Sequence, residues 1–218
     1  MENKVADRIE FEANETILFI GDSITDAGRR EVGVDRLGQG YVFFAGNLLL
    51  ARYPQLNLKI VNKGVNGDTT RSLKWRWDRD CLQEQPDILS LMIGINDLWY
   101  CHNDSDAAVK GVAPAEYEDN CRYMLETAQT QCDSRIVLME PFMFCDDDND
   151  VMFGDLRHYI DVAGRLAVEF DAVLVPLQKH IDEQIGRIPP AQWAEDMVHP
   201  FTWAHAWIAE RWLQAAGV

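Results

Sequence analysis

Short and almost continuously apolar runs alternate along the chain with longer segments in which apolar residues recur at helical spacing. Each run is rich in Ile, Leu or Val, which is typical of parallel strands buried on both faces of a sheet. The predicted strands are residues 16–21, 58–64, 87–94, 135–141 and 172–176. The segments between them are long enough to be helices, and so is a closing segment with Trp203 and Trp207 at helical spacing. The predicted helices are residues 41–53, 70–85, 114–131, 154–170 and 200–216.

Strands that alternate with helices predict a succession of right-handed βαβ units. The expected fold is therefore α/β, with three layers and a central five-stranded parallel sheet. No repeat, low-complexity tract or linker divides the chain, and 218 residues suit a single domain spanning residues 1–218. In such a sheet, ligands bind beyond the carboxyl ends of the strands.

Composition and charge narrow the classes of function. The net charge of −16 argues against nucleic acid and against docking to anionic membranes, because both need clustered Lys and Arg. The N-terminal residues lack the apolar run of a signal peptide, and no segment is apolar enough to span a membrane. Five cysteines, an odd number without a short pair, indicate reduced thiols. We therefore expect a cytoplasmic protein.

Polar residues follow the predicted strands at the edge where a ligand would bind. The first strand runs into Gly-Asp-Ser at Ser23, the second leads to Gly67, and the third is followed by Asn96. Asp196 and His199 stand just before the last predicted helix. Ser23 has two interpretations at this stage, since serine is also a favoured N-cap residue at the start of a helix.

The residue types at this edge are those that ester hydrolysis requires. A serine hydroxyl becomes a useful nucleophile when an imidazole takes its proton, and a carboxylate then orients the ring. Asp196 and His199 are three residues apart and can meet on one short turn. Backbone amides at Ser23 and Gly67 and the Asn96 side chain are suitable donors to a tetrahedral intermediate.

The order of GDS, G-x-N-G, G-x-N-D and D-x-x-H-P along the chain resembles the SGNH, or GDSL, hydrolase family. The resemblance runs from Ile17 to the last predicted helix. It implies a flavodoxin-like sheet and an esterase that uses no cofactor, and the other histidines of the chain show no metal-ligand spacing, so no metal site is expected. It also implies that Ser23 is the nucleophile, His199 the base and Asp196 its orienting acid, with an oxyanion hole formed by Ser23, Gly67 and Asn96.

Within that family, the segments around the motifs are most similar to a small intracellular branch that resembles acetylxylan esterases. The segments are YVFFAGNLLLARYPQL, VNKGVNGDTTRSLKWRW, MIGINDLW and PAEYEDN. This similarity implies that short acyl groups, typically acetyl, are removed from sugar hydroxyls. Two alternatives remain open, namely a lysophospholipase or thioesterase with the same mechanism, and a carbohydrate-binding relative without turnover.

Three further residues next to the motifs are candidates for contact with the substrate: Asp22, Trp99 and Trp193. The two tryptophans could form a platform for the apolar face of a sugar, although aromatic residues in such positions are just as often part of the core. The other five tryptophans lie in helical patterns, where they could pack in the core or line a contact in a homo-oligomer.

Overall fold

A computed structural model describes residues 8–103 and 110–218, and five parallel strands form one sheet at its centre. The spatial order of the strands is β2-β1-β3-β4-β5, so β1 and β3 lie side by side in the interior. The residues of β1 from Ile17 onward and all of β3 are buried, as expected for strands covered on both faces. The strands are β1 (Thr16–Gly21), β2 (Lys59–Asn62), β3 (Ile88–Met92), β4 (Arg135–Met139) and β5 (Val173–Val175).

Helices cover both faces of the sheet. The helices α2 (Tyr41–Arg52) and α9 (Thr202–Ala215) pack against each other. A second group is formed by α5 (Pro114–Cys132), which packs against both α3 (Thr70–Asp80) and α6 (Val151–Glu169). This arrangement confirms the predicted three-layer α/β fold. The helices are α1 (Ser23–Asp26), α2 (Tyr41–Arg52), α3 (Thr70–Asp80), α4 (Ile95–His102), α5 (Pro114–Cys132), α6 (Val151–Glu169), α7 (Leu177–Ile185), α8 (Pro190–Trp193) and α9 (Thr202–Ala215).

The boundaries differ from the predicted ones mainly where helices and strands end. β2 is shorter than predicted, and α3 ends at Asp80, after which residues 82–84 form a 3₁₀ turn. The helices α4 and α7 were not predicted, because each is short and directly follows the residues that end a strand. The consequence for the site is that Asn96 lies in the first turn of a helix rather than in a loop.

The core between the layers is built from large aromatic side chains as well as Ile, Leu and Val. Trp77 and Trp212 are fully buried, and the Trp212 indole donates to the Ser90 hydroxyl inside the sheet. Trp75, by contrast, is 85% exposed on α3, so packing does not account for every helical tryptophan. All five cysteines lie in the described segments and are free. None of the helices described between residues 8 and 218 has the length and apolar character needed to cross a membrane.

Candidate active site

Ser23 lies immediately beyond the carboxyl end of β1, at the first position of the short helix α1. The N-cap of that helix is Asp22, whose carboxylate accepts a hydrogen bond from the Ile24 amide at 3.0 Å. The Ser23 hydroxyl is therefore not needed as a cap. It lies 2.8 Å from Nε2 of His199, which is a hydrogen-bonding distance.

The other ring nitrogen of His199 faces a carboxylate, which a tight turn holds in place. Asp196 Oδ2 lies 2.6 Å from His199 Nδ1, while its Oδ1 accepts from the backbone amides of Val198 and His199 at 3.0 and 2.8 Å. A bridge between Ala194 and Pro200 closes the base of the turn. Serine, imidazole and carboxylate are thus aligned in the order that a serine hydrolase uses.

The turn also keeps Asp196 in its charged form. Partial burial by itself would raise the pKa of Asp196, but hydrogen bonds from the His199 amide and ring and from the Val198 amide lower the pKa below its usual value. An ionised carboxylate can hold the proton on Nδ1, and this leaves Nε2 free to take the proton of Ser23.

Two further elements bring possible hydrogen-bond donors to the same place. Gly67 has a φ of +77°, a conformation that favours glycine, and it belongs to the loop between β2 and α3. Asn96 is the second residue of α4, and its side-chain amide donates one hydrogen bond to the Asp68 carbonyl at 3.0 Å. This bond fixes the direction of the amide and leaves its second N–H available for a ligand.

These residues share one cavity of about 320 Å³. The catalytic and donor residues predicted from the sequence all border it, together with apolar and aromatic side chains. The lining residues are Ser23, Asn66, Gly67, Ile95, Asn96, Trp99, Tyr100, Asp196, Val198 and His199. A larger cavity of about 880 Å³, bordered by Glu140 and residues of α6 and α7, contains none of the predicted catalytic residues.

Two of the three residues predicted to contact the substrate, Trp193 and Asp22, are buried and do not line the cavity. Trp193 is fully buried, with its ring stacked on Phe144 at a centroid distance of 5.2 Å, so it has no face to offer a sugar. Its carbonyl accepts from the Phe201 amide, which helps to hold the turn that carries His199. Asp22 is only 1% exposed, and burial raises its pKa to about 7. The half-buried Trp99 does line the cavity.

Arg76 was not predicted from the sequence, although it connects the segments around the site. Its buried guanidinium donates to the Asp68 carboxylate at 2.6 Å, to Asp80 at 3.1 Å and to the Gly21 carbonyl at 3.1 Å. Gly21 ends β1 two residues before Ser23, and Asp68 directly follows Gly67. One side chain therefore ties together the segments that carry two of the candidate oxyanion donors.

A second buried group fixes the helix that carries Asn96. Asp97 accepts from the Thr70 amide at 2.9 Å and from the Thr70 hydroxyl, which joins the start of α3 to the start of α4. Burial raises the pKa of Asp97 to about 7. Among the described residues no cluster of three His, Cys, Asp or Glu side chains is arranged to hold a metal ion.

The whole of this architecture is similar to known hydrolases. The family model of GDSL-like lipases and acylhydrolases matches residues 19–207. An acetylxylan esterase from Geobacillus stearothermophilus is 38% identical over 94% of this chain and 95% of its own length. A crystal structure of an acetylxylan esterase from the same organism superimposes with a TM-score of 0.90 at 36% identity, covering 96% of this chain and 97% of that one.

A second crystal structure, of a GDSL-like lipase from Parabacteroides merdae, has a TM-score of 0.88 at 33% identity and covers 96% of this chain and 99% of that one. Solved variants of the Geobacillus enzyme in which a serine, an aspartate or a histidine is replaced by alanine are described as catalytic mutants. The family match covers most of the chain and agrees with the motifs and the fold. The chain belongs to the GDSL-like lipase/acylhydrolase family.

Proposed function

We propose that this protein is a serine esterase that removes short acyl groups, acetyl above all, from the hydroxyls of sugars such as xylo-oligosaccharides. The observation that carries the proposal is the unbroken relay from Ser23 Oγ to His199 Nε2 at 2.8 Å and from His199 Nδ1 to Asp196 at 2.6 Å. A serine placed in such a relay is activated for attack on an ester carbonyl.

The reaction proceeds in two steps. His199 takes the proton of Ser23 as Oγ attacks the carbonyl carbon, and the carbonyl oxygen becomes an oxyanion that the amides of Ser23, Gly67 and Asn96 stabilise. The imidazolium then gives the proton to the departing sugar oxygen, and the C–O bond of the ester breaks to leave an acyl-serine. Water, deprotonated by His199, attacks this intermediate, and collapse releases the carboxylic acid and restores Ser23.

The surroundings of the relay support a short acyl group on a bulky alcohol. At about 320 Å³ the cavity lies near the lower end of the range for small-molecule sites, which is roughly 300–1,000 Å³. His199 and Asp196 have about half of their side-chain surfaces exposed, 55% and 47%. A base at the mouth of the cavity leaves room outside it for a large leaving alcohol.

The comparisons support the same substrate class. The relatives from Geobacillus stearothermophilus are named acetylxylan esterases, and two variants of that organism's enzyme are described as an acetyl-xylooligosaccharide esterase. A cavity of this size also disfavours the long acyl chains of a lysophospholipase.

Ser23→Ala tests the proposed nucleophile. We expect the variant to fold as the wild type does, judged by its circular dichroism and melting temperature, and to lose turnover of p-nitrophenyl acetate. Ser134→Ala is a matched control, because Ser134 lies before β4 at the opposite edge of the sheet and donates to the Pro86 carbonyl. Turnover by Ser23→Ala at the wild-type rate would refute the proposed mechanism.

The substrate class needs a separate measurement. Wild-type kcat/KM should fall as the acyl group is lengthened from acetyl to butyryl and to longer chains, and acetylated xylo-oligosaccharides should be deacetylated. A preference for long acyl chains would contradict the acetyl assignment without affecting the role of Ser23.

A further inference from the structure

Tyr100 borders the cavity, and neither the motifs nor the proposed mechanism gives it a role. It lies four residues after Asn96 on α4, and residues with this spacing occupy the same face of a helix. Both residues line the 320 Å³ cavity, and Tyr100 is half-buried there. The phenol is therefore held beside a candidate oxyanion donor by the same short helix.

The hydroxyl of Tyr100 also lies near Gly67, whose backbone amide is another candidate oxyanion donor. A Cβ atom placed on Gly67 would lie 3.5 Å from this hydroxyl oxygen and would meet no other heavy atom within 4 Å. The phenol oxygen therefore lies next to Gly67 within the cavity. Within residues 8–103 and 110–218, no group makes a hydrogen bond with the Tyr100 hydroxyl, so this hydroxyl is available to a ligand in the cavity.

The chemistry of the ester limits what this hydroxyl can bind. The only polar atom of an acetyl group is its carbonyl oxygen, and the oxyanion that forms from it already has three N–H donors, from Ser23, Gly67 and Asn96. An oxyanion has three lone pairs, so these donors suffice. The polar atoms left for Tyr100 are those of the alcohol, and a phenol, which can both donate and accept, matches a sugar hydroxyl.

We propose that Tyr100 is a specificity-determining residue, whose hydroxyl hydrogen bonds to a free hydroxyl of the leaving sugar next to the esterified carbon. This inference rests on the proposed function and adds a contact that selects the alcohol rather than the acyl group. Since p-nitrophenol carries no such hydroxyl, the contact exists with a sugar ester and is missing with the chromogenic ester.

Tyr100→Phe removes this one oxygen atom and keeps the ring in place. For an acetylated xyloside with a free neighbouring hydroxyl, we expect kcat/KM to fall roughly 3- to 10-fold, the range given by one neutral hydrogen bond. For p-nitrophenyl acetate we expect no change. Tyr123→Phe is the control, since Tyr123 lies on α5, outside the cavity and 43% exposed, and it should alter neither rate.

Removing the hydroxyl from the sugar instead of the protein gives a second test of the same contact. An acetylated xyloside in which the neighbouring hydroxyl is replaced by hydrogen should react with Tyr100→Phe and with the wild type at the same rate. The two deletions then remove one shared interaction, and their effects are not additive.

Three results would overturn the inference. An equal loss on both substrates would place Tyr100 on the oxyanion or the nucleophile, and unchanged rates on both would leave it without a polar contact. Additive losses from the protein and sugar deletions would mean that the two hydroxyls do not meet. Failure of the proposed function is distinguishable, because the wild type itself would then hydrolyse p-nitrophenyl acetate but no acetylated sugar.

Discussion

Arg76→Lys should slow ester hydrolysis although residue 76 does not line the cavity. The guanidinium of Arg76 makes hydrogen bonds to Asp68, Asp80 and the Gly21 carbonyl, and it is only 5% exposed. A lysine keeps the positive charge, but a single ammonium cannot span three partners in the way a planar guanidinium does. The segments ending at Gly21 and Asp68 then lose the bridge between them.

The size of the effect follows from the bonds that are lost. Hydrogen bonds to charged groups contribute about 1.5–3 kcal/mol each. A lysine that keeps one or two of the three partners of Arg76 loses one or two such bonds, so we expect the free energy of unfolding to fall by about 3 kcal/mol. For a chain of this size, that is a fall of roughly 6–12 °C in Tm. Displaced oxyanion donors act on the transition state, so kcat should fall by roughly 10- to 100-fold while KM changes little.

The assay compares kcat on p-nitrophenyl acetate with Tm from circular dichroism, at a temperature where each variant is folded. Arg79→Lys is the matched control, because Arg79 also binds Asp80 but is 63% exposed and touches neither Gly21 nor Asp68. We expect its kcat to stay within about twofold of the wild type. A variant at position 76 with a lowered Tm and an unchanged kcat would refute the positioning role.

Two further changes test the donor at Asn96 and the buried carboxyl of Glu140. Asn96→Ala should lower kcat on p-nitrophenyl acetate by about 10²–10³, whereas Asn103→Ala, at the far end of α4, should not; a loss below threefold would contradict the donor role. Glu140 is 6% exposed, and burial raises its pKa to about 7. The folded state therefore binds this proton more tightly than the unfolded state does, and the stability it contributes is lost as pH rises from about 4.5 to about 7. Glu140→Gln should remove that loss and raise Tm at pH 8 but not at pH 4. The control is Glu183→Gln, at an exposed position, which should leave Tm unchanged at both pH values. Equal Tm values of Glu140→Gln and the wild type at pH 8 would contradict the prediction.

The elements predicted most accurately are those whose burial is evident from a continuous run of apolar residues. β1 was predicted with the boundaries Thr16–Gly21 because a strand covered on both faces is apolar at every position. The helix α4 was missed because it begins inside the G-x-N-D motif and has only eight residues. Short helices like this one form through tertiary contacts, here the hydrogen bonds that Thr70 donates to Asp97, rather than through their own periodicity.

The candidate catalytic residues could be proposed from the sequence because they belong to motifs in a fixed order, with Ser23 after the first strand and Asp196 and His199 before the last helix. The orientation of an aromatic side chain next to a motif cannot be predicted from the sequence by the same reasoning. Trp193 and Trp99 both stand beside motifs, yet one is fully buried against Phe144 and the other lines the cavity. Trp193 directly precedes the bridge between Ala194 and Pro200, whereas Trp99 lies on α4, and neither the bridge nor the packing of Trp193 on Phe144 is visible in a local pattern.

Arg76 is a charged residue on the buried face of the helix α3. It lies between Leu73 and Asp80 on the face of α3 that also buries Trp77, and a charge is rarely placed there without partners. The partners come from separate segments, so the sequence could flag the residue but not its role. The structure adds the reason: Asp68 directly follows Gly67, and a negative charge close to this donor opposes a developing oxyanion. By pairing with Asp68, Arg76 offsets that charge as well as fixing the loop, so Arg76→Lys, which keeps the charge, isolates the effect of geometry.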